Sequence, residues 1–279
     1  MTAAGGPVWL DGALVDAAEA KVSVFDQGLT VGDGVFETAK VVDGVPFAMR
    51  RHLARLRHSA TGLGIEVPYD DEALRSAAAE VLAAAPFEGG RLRITVTGGT
   101  GPLGSGRGGG RPTVILALGA NQGRPATTPV VTVPWPRNER GAVSGLKTVS
   151  YAENVVALAR AAEADAGEAV FPNLAGNVCE GTGTNVFYVT GGRLATPPLS
   201  SGCLAGITRE LLLEITDAVE ADLPIGRLCE ANEAFLTSST REVQGVESVD
   251  GVALSRCPGP LTEKASAAFA ELVERDLDP

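Results

Sequence analysis

Lysine is scarce in this chain of 279 residues, and one lysine stands where it could do chemistry. Lys147 lies in the small-residue segment Gly145-Leu-Lys-Thr-Val-Ser, just before a predicted helix. The preceding region, 91–138, carries six arginines and no acidic residue. Neighbouring cations disfavour the ammonium form, and a neutral lysine amine is the nucleophile that forms a Schiff base. Lys147 is therefore a candidate nucleophile, with an ordinary surface lysine as the alternative.

Three further segments carry groups suited to an anionic ligand with a heterocyclic ring. Glu180 stands among small residues between two apolar strands, where a carboxylate could cap a turn or pair with a cationic ring nitrogen. Gly206, Ile207 and Thr208 open an amphipathic helix, and helix-start amides bind phosphate, although the same pattern fits an ordinary N-cap. Residues 238–240, Ser-Ser-Thr, add hydroxyl donors after a strand.

The sequence lacks the motifs of several other kinds of active site. The chain has no G-x-x-x-x-G-K-[ST], H-E-x-x-H or G-x-S-x-G. Gly99-Thr-Gly101-Pro-Leu-Gly104 matches G-x-G-x-x-G, but a strand follows it and the ribose-binding acid is missing, so we interpret 98–111 as a flexible loop. Four widely spaced cysteines and two histidines predict neither a disulfide framework nor a metal site.

The composition narrows the class of partner. The net charge of −11 argues against binding to nucleic acid or to an anionic membrane. The sequence shows no apolar run of the roughly 20 residues that a membrane helix needs, and no secretory signal. We therefore expect a cytoplasmic protein.

The elements that must position these residues follow from apolar periodicity and turn chemistry, which predict an α+β chain with mixed sheets. We expect a smaller N-terminal domain at 1–118, a linker at 119–129 and a larger C-terminal domain at 130–279. Predicted helices span 49–63, 70–85 (ending before Pro86), 151–165, 207–218 and 261–275. Helix 151–165 is expected to carry Val155, Leu158, Ala159 and Ala162 on one face. Predicted strands span 8–10, 21–25, 35–42, 45–47, 91–97, 113–118, 130–135, 168–171, 178–180, 185–190, 193–196, 234–238 and 243–252.

Four motifs, in this order, resemble the fold-type IV pyridoxal-phosphate enzymes, which include branched-chain and D-amino-acid aminotransferases and aminodeoxychorismate lyase. The motifs are VGDGVFETAKVVDGVPFAMRRHLARL, GLKTVSYAENVVALARA, CEGTGTNVF and TPPLSSGCLAGITRE. The resemblance extends from about Val8 to Val252. It implies the two-lobed architecture of that family, pyridoxal 5'-phosphate as cofactor and a homodimer.

The resemblance also implies roles for single residues. Lys147 would form the covalent link to the cofactor and carry the substrate Cα proton, and Glu180 would pair with the pyridine nitrogen. Arg55 of His52-Leu-Ala-Arg55-Leu would bind the phosphate, leaving the nearby Arg50, Arg51 and Arg57 solvated. The cofactor-binding set is Arg55, Lys147, Glu180, Gly206, Ile207, Thr208, Ser238 and Ser239.

Departures from the family pattern bear on the substrate. Val31 replaces a tyrosine typical of the branched-chain enzymes, and Thr38 follows Phe36 and Glu37 where those enzymes have glycine. Glu37 either lines the substrate pocket or faces solvent. Thr97-Gly98-Gly99 replaces the T-R-G of many D-amino-acid aminotransferases and resembles the lyases. The candidate substrate-contacting residues are Val31, Phe36, Arg107, Arg137 and Thr240, with Arg111 and Arg140 as alternative carboxylate partners.

The expected function is ping-pong transfer of an amino group between a small amino acid, D-configured or not, and a 2-oxo acid. The alternative is a lyase that forms 4-aminobenzoate and pyruvate from 4-amino-4-deoxychorismate. Both use the same lysine, acid and phosphate groups, so those groups do not separate them. A third possibility, a non-catalytic cofactor-binding protein, would require loss of the catalytic lysine, and Lys147 is present.

Overall fold

The computed structural model describes residues 6–85, 89–120 and 123–279. The chain forms two compact units: residues 1–122, 146–150 and 277–279 belong to the first, and 123–145 and 151–276 to the second. Pro86, predicted to follow the second helix, and residues 121–122 of the predicted linker lie outside the described residues. The segment around Lys147 belongs to the first unit, although it follows the predicted linker in sequence.

The described residues form six α-helices and fifteen strands. The helices are α1 (Gln27–Thr30), α2 (Met49–Leu63), α3 (Asp71–Ala83), α4 (Ala152–Glu163), α5 (Ile207–Ile215) and α6 (Pro260–Arg275). The strands are β1 (Val8–Leu10), β2 (Ala13–Val15), β3 (Gly34–Val42), β4 (Val45–Pro46), β5 (Gly90–Thr97), β6 (Val114–Gly119), β7 (Thr127–Thr132), β8 (Glu168–Pro172), β9 (Val178–Gly181), β10 (Asn185–Thr190), β11 (Arg193–Thr196), β12 (Val219–Glu220), β13 (Glu233–Ser238), β14 (Glu242–Val249) and β15 (Val252–Ala253). The prediction of an α+β fold is confirmed.

The first unit contains a sheet of order β2-β1-β6-β5-β3-β4, whose strands pair antiparallel wherever they are described. Asp43 and Gly44 turn β3 into β4 with φ of 49° and 77°, which confirms the predicted hairpin. Leu53 and Leu56 of α2 pack against buried residues of β5 and β6. The apolar stripe of α2 therefore fixes the helix on the sheet.

The second unit contains a mixed sheet of order β12-β11-β10-β13-β14-β7-β8-β9, with β15 paired to β14. β7 pairs in parallel with β8 and β14, whereas β8–β9, β10–β13 and β13–β14 are antiparallel. Phe187 and Phe235 stack with ring centroids 4.8 Å apart across β10 and β13. This pairing brings together chain segments that are about 50 residues apart in sequence.

Two strand predictions were wrong. The alternating segment 21–25 forms no strand, because alternation alone does not supply a partner for its backbone groups. The strand predicted at 130–135 instead spans Thr127–Thr132, since its register is set by pairing with β14 and β8.

The apolar face predicted for helix α4 is not the face that the helix buries. Val155 is 65% exposed and Leu158 is 43% exposed, whereas Asn154, Ala157 and Ala161 are buried. Ala157 and Ala161 pack with Phe171 of β8. Because alanine allows a helix to approach a sheet closely, the small-residue stripe packs inward and the larger apolar residues remain outside.

None of the described helices is long and apolar enough to span a membrane. Within the same residues, no group of three or more His, Cys, Asp or Glu is arranged to hold a metal ion.

Candidate active site

Lys147 is fixed in the first unit by its backbone. Its amide donates to Ser59 Oγ at 3.0 Å, and its carbonyl accepts from the Phe36 amide at 3.1 Å. Thr148 forms a bridge with Val35, and the Val149 amide donates to the Gly34 carbonyl. The segment is therefore tied to β3 and α2 by contacts that leave the lysine side chain uninvolved.

The Lys147 amino group lies beside an aromatic ring that a second cation also contacts. Nζ is 4.3 Å from the ring centroid of Phe36, and Cζ of Arg93 is 3.8 Å from the same centroid. Phe36 faces Thr95 across the β3–β5 pair, and Arg93 lies two residues before Thr95 on the same sheet face. Sequence reasoning missed Arg93, because the register between β3 and β5 depends on strands separated by two helices.

A buried cluster lies on the opposite face of β3. Arg55 pairs with Glu37 through two bonds, Nε to Oε1 at 2.8 Å and Nη2 to Oε2 at 2.7 Å. His52 Nδ1 lies 2.6 Å from Oε2, and since a carboxylate accepts, Nδ1 is the donor. Glu37 is 1% exposed, so the alternative in which it faces solvent was wrong. Arg55, the predicted phosphate partner, has its guanidinium oriented by this carboxylate.

Burial and charge act in opposite directions on this cluster. Burial raises the pKa of Glu37, but the charge of Arg55 and the hydrogen bonds from Arg55 and His52 outweigh it and hold the pKa well below 4.5. Burial lowers the pKa of His52 below 6.5, Arg55 and Lys147 lower it further, and Glu37 opposes them in part. The pair is therefore an anionic carboxylate with a neutral imidazole at neutral pH.

Stability should fall on acidification because both groups have lowered pKa values in the folded chain. The unfolded chain takes up a proton at His52 below about pH 6.5 and at Glu37 below about pH 4.5, before the folded chain does. We expect the thermal midpoint to decline from pH 6.5 and more steeply below pH 4.5. His52→Gln should remove the first decline and His58→Gln, at an exposed site, should not. A wild-type midpoint that is constant from pH 7 to 4 would contradict this.

Glu180 lies in the second unit on β9, and its side chain is 16% exposed. Its Oε2 accepts from the Leu204 amide at 2.9 Å, and Oε1 lies 3.3 Å from Arg137 Nε without the alignment of a hydrogen bond. Arg137 also donates to Glu153 and stacks on Phe171, with Cζ 3.9 Å from the ring centroid. Arg137, predicted to contact substrate, is thus a partner of two carboxylates.

Asn185 packs against the start of α5 at a position where only glycine leaves room for it. A Cβ at Gly206 would lie 1.9 Å from Asn185 Oδ1, and the helix has no side-chain N-cap bond. Asn185 also donates to the Leu204 carbonyl at 2.9 Å. Ile207 and Thr208, both buried, form the first turn, whose amide groups and positive dipole end suit a phosphate.

Strand β10 connects the start of α5 with the hydroxyl segment, Ser238-Ser239-Thr240, and Leu204 connects the same region with Glu180. Asn185, beside Gly206, pairs in register with Thr237 of β13, which immediately precedes the hydroxyl segment. Leu204 joins the same region to Glu180. A carboxylate for a ring nitrogen and hydroxyl and amide donors for a phosphate are therefore held on one framework, and these residues fit the two polar ends of pyridoxal phosphate.

The other predicted substrate residues have different surroundings. Arg107, in the glycine-rich loop, donates to Asp33 through Nε at 2.7 Å and to the carbonyls of Leu63 and Gly64. These bonds connect the loop to Asp33 and to the end of α2. Val31 is 44% exposed just after α1, whereas Phe36 is buried. Thr240 lies in the β13–β14 turn.

Comparison with known protein sequences gives consistent matches over nearly the whole chain. Residues 34–249 match the family "Amino-transferase class IV". A protein of Methanocaldococcus jannaschii with the provisional name branched-chain-amino-acid aminotransferase is 34% identical, covering 95% of this chain and 96% of that protein. D-alanine aminotransferase of Bacillus licheniformis is 30% identical, over 94% and 95%.

Solved structures of the same family have a similar fold. The branched-chain aminotransferase of Thermoproteus uzoniensis with norvaline is 31% identical, with a TM-score of 0.89 over 96% of this chain and 95% of that one. A branched-chain amino acid aminotransferase complexed with N-(5'-phosphopyridoxyl)-L-glutamate is 27% identical, with a TM-score of 0.88 over 97% of this chain and 94% of that one.

Proposed function

The chain belongs to the class IV aminotransferase family, and from that membership we propose that it transfers an amino group between a small amino acid and a 2-oxo acid. Its cofactor is pyridoxal phosphate, which class IV aminotransferases use. The observation that carries the proposal is the placement of Lys147 and Arg93 on the same Phe36 ring. The amine proposed as nucleophile and the guanidinium proposed to bind a carboxylate thus both contact one aromatic ring.

Lys147 is the group proposed to act on the reacting atoms. Pyridoxal phosphate supplies an aldehyde for covalent attachment and a ring that takes up the electrons released at the substrate Cα. Nζ of Lys147 would hold the cofactor, be displaced by the substrate amine and then move the proton at Cα. The hydrogen bonds of its backbone fix the point from which this side chain extends.

The proposed cofactor contacts divide by chemical type. Glu180 would accept from the protonated pyridine nitrogen, and its bond from Leu204 fixes the carboxylate for that task. The α5 start, residues 206–208, and the hydroxyl segment would hold the phosphate. In the first unit, Arg55 is oriented by Glu37, and its guanidinium suits a charge-assisted bond to a phosphate.

Arg93 is the proposed partner of the second carboxylate of a dicarboxylic substrate, which pyruvate lacks. A guanidinium binds a carboxylate through two parallel bonds, and the dicarboxylate glutamate is part of the phosphopyridoxyl ligand in the solved branched-chain enzyme. We expect Arg93→Gln to raise KM for 2-oxoglutarate by about tenfold or more and to change KM for pyruvate little. Arg91→Gln, two residues earlier on the same sheet face, is the control. Equal KM effects in both variants, or an unchanged KM in Arg93→Gln, would contradict the assignment.

Amino transfer and the lyase reaction are separated by a donor screen. The holoenzyme is mixed with D- or L-amino acids or primary amines, and the cofactor spectrum is followed before and after 2-oxoglutarate is added. Conversion by a donor and its reversal by the oxo acid are expected, and D-alanine is the first donor to test. No conversion with any donor, together with 4-aminobenzoate formed from 4-amino-4-deoxychorismate, would identify the lyase instead.

We also propose a homodimer, supported by exposed apolar side chains in 24–31. Leu29 is 68% exposed, Phe25 is 50% exposed, and Val24 and Val31 in the same segment are 67% and 44% exposed. Exposed apolar residues that are grouped in this way favour an interaction surface. Sedimentation equilibrium should give twice the chain mass of 28.5 kDa. Leu29→Glu should shift the protein to monomer, whereas Val252→Glu, at an exposed apolar site elsewhere, should not. A monomeric wild type would contradict the proposal.

A further inference from the structure

A buried carboxylate of the second unit binds the turn that follows Glu180. Glu168, at the start of β8, is 1% exposed, and its Oε1 accepts from the amides of Ala169 at 3.1 Å and Thr182 at 3.0 Å. The hydroxyls of Thr182 and Thr184 donate to the same carboxylate. Glu168 thus holds the turn that follows Glu180 on β9.

Glu168 also accepts a hydrogen bond from Arg241, which lies in the turn between β13 and β14. Arg241, whose side chain is 8% exposed, donates through Nη2 to Glu168 Oε2 at 3.0 Å and to the Gly167 carbonyl at 3.1 Å. Its Nη1 donates to Gln244 Oε1 at 2.6 Å. The guanidinium is therefore anchored on three acceptors beneath the β13–β14 turn.

The backbone of Arg241 also forms a hydrogen bond across the hydroxyl segment. Its amide donates to Ser238 Oγ at 3.1 Å, and Ser238 pairs in register with Glu242, whose φ is +56°. Ser239 and Thr240 lie between these two fixed points. Their position depends on a turn that the Arg241 side chain ties to Glu168.

Stability alone gives no reason for an ion pair here, because a well-packed apolar pair in such a site is often as stable. We propose that the buried Glu168–Arg241 pair is a positioning device that holds the turn after Glu180 and the hydroxyl segment in register, and so sets the affinity for the cofactor phosphate. The inference rests on the proposed role of the hydroxyl segment in phosphate binding. Glu168 and Arg241 act through that segment and do not themselves contact the ligand.

The experiment measures how much the phosphate group of the cofactor contributes to its affinity for the protein. The full chain, freed of cofactor, is titrated by calorimetry with pyridoxamine 5'-phosphate and with pyridoxamine. The Kd for pyridoxamine divided by the Kd for pyridoxamine 5'-phosphate, called the ratio below, is compared between variants. We expect Arg241→Met and Glu168→Gln each to lower this ratio about tenfold, chiefly by weakening pyridoxamine 5'-phosphate. Removing one partner of a buried pair can unfold a protein, so the double variant E168Q/R241M, which leaves no lone charge, is also measured. Its ratio should fall no further than that of either single variant.

Two control variants are needed. One tests whether any loss of a buried carboxylate weakens phosphate binding, and the other tests whether the hydroxyl segment binds the phosphate at all. Glu233 is a buried carboxylate of the same unit that accepts from the amide and hydroxyl of Thr262 at the start of α6. Glu233→Gln should lower the thermal midpoint and leave the ratio unchanged; an equal fall in ratio would overturn the inference. The second control is Ser239→Ala, which should lower the ratio. If Ser239→Ala lowers the ratio but the Arg241 and Glu168 variants do not, the positioning role of the buried pair is wrong and the phosphate role of the hydroxyl segment stands. If none of these variants lowers the ratio, the phosphate role of the hydroxyl segment is wrong as well.

Discussion

Lys147→Ala should lower amino-transfer turnover by roughly 10³-fold or more, because the variant loses both the nucleophile and the group that moves the Cα proton. The fold should persist, since the contacts that fix this segment use the backbone of residue 147 and not its side chain. The phosphate-binding residues should still retain cofactor without a covalent link. Steady-state kinetics give the loss, and borohydride reduction followed by peptide mass spectrometry shows where the cofactor is attached.

Lys264→Ala is the matched control for that result. Lys264 is 66% exposed and lies 3.6 Å from Asp217 on the protein surface, so its removal should change neither turnover nor the labelled peptide. Cofactor trapped on a peptide other than the one containing Lys147 in the wild type would show that the nucleophile has been wrongly assigned. Wild-type turnover in Lys147→Ala would lead to the same conclusion.

Glu180→Gln should lower kcat by about 10² to 10³-fold while cofactor content stays near that of the wild type. A glutamine oxygen can still accept from the Leu204 amide, so the geometry is kept and the carboxylate charge is lost. Without that charge the pyridine nitrogen is less readily protonated, and removal of the Cα proton slows. The kinetic isotope effect with Cα-deuterated donor should therefore increase.

Glu153→Gln tests whether the effect comes from Glu180 or from its neighbour Arg137. Glu153 is 50% exposed and is the other carboxylate that Arg137 contacts. We expect less than about a threefold change in kcat, as for a solvent-exposed ion pair. If Glu180→Gln turned over at the wild-type rate, or if both variants slowed equally, Glu180 would not be the partner of the ring nitrogen.

Local sequence signals predicted the elements whose stability is local. Helix α2 begins and ends as its apolar periodicity and Gly64 indicate, with Gly64 at φ 68°. The β3–β4 hairpin follows from Asp43-Gly44, and β10 and β11 have the predicted bounds. In each case the determining interactions lie within a few residues of one another.

The residues of α4 show where local signals fail. The helix itself is predicted, but two stripes at helical spacing compete for the buried face, one with larger apolar residues and one with alanines. The choice depends on the shape of β8, which the helix sequence does not contain. The strand expected at 21–25 failed for the related reason that pairing partners are not encoded locally.

The sequence by itself determined the family and the cofactor, because both depend on short motifs such as the segments around Lys147 and Glu180. The same motifs predict which residue types bind the two ends of the cofactor. Only the tertiary structure decided the partners of these side chains. Arg93 reaches the Phe36 ring through a strand register, and Arg241 reaches Glu168 across 73 residues. Burial, register and charge pairing arise when distant segments pack together, so no spacing along the chain can specify them.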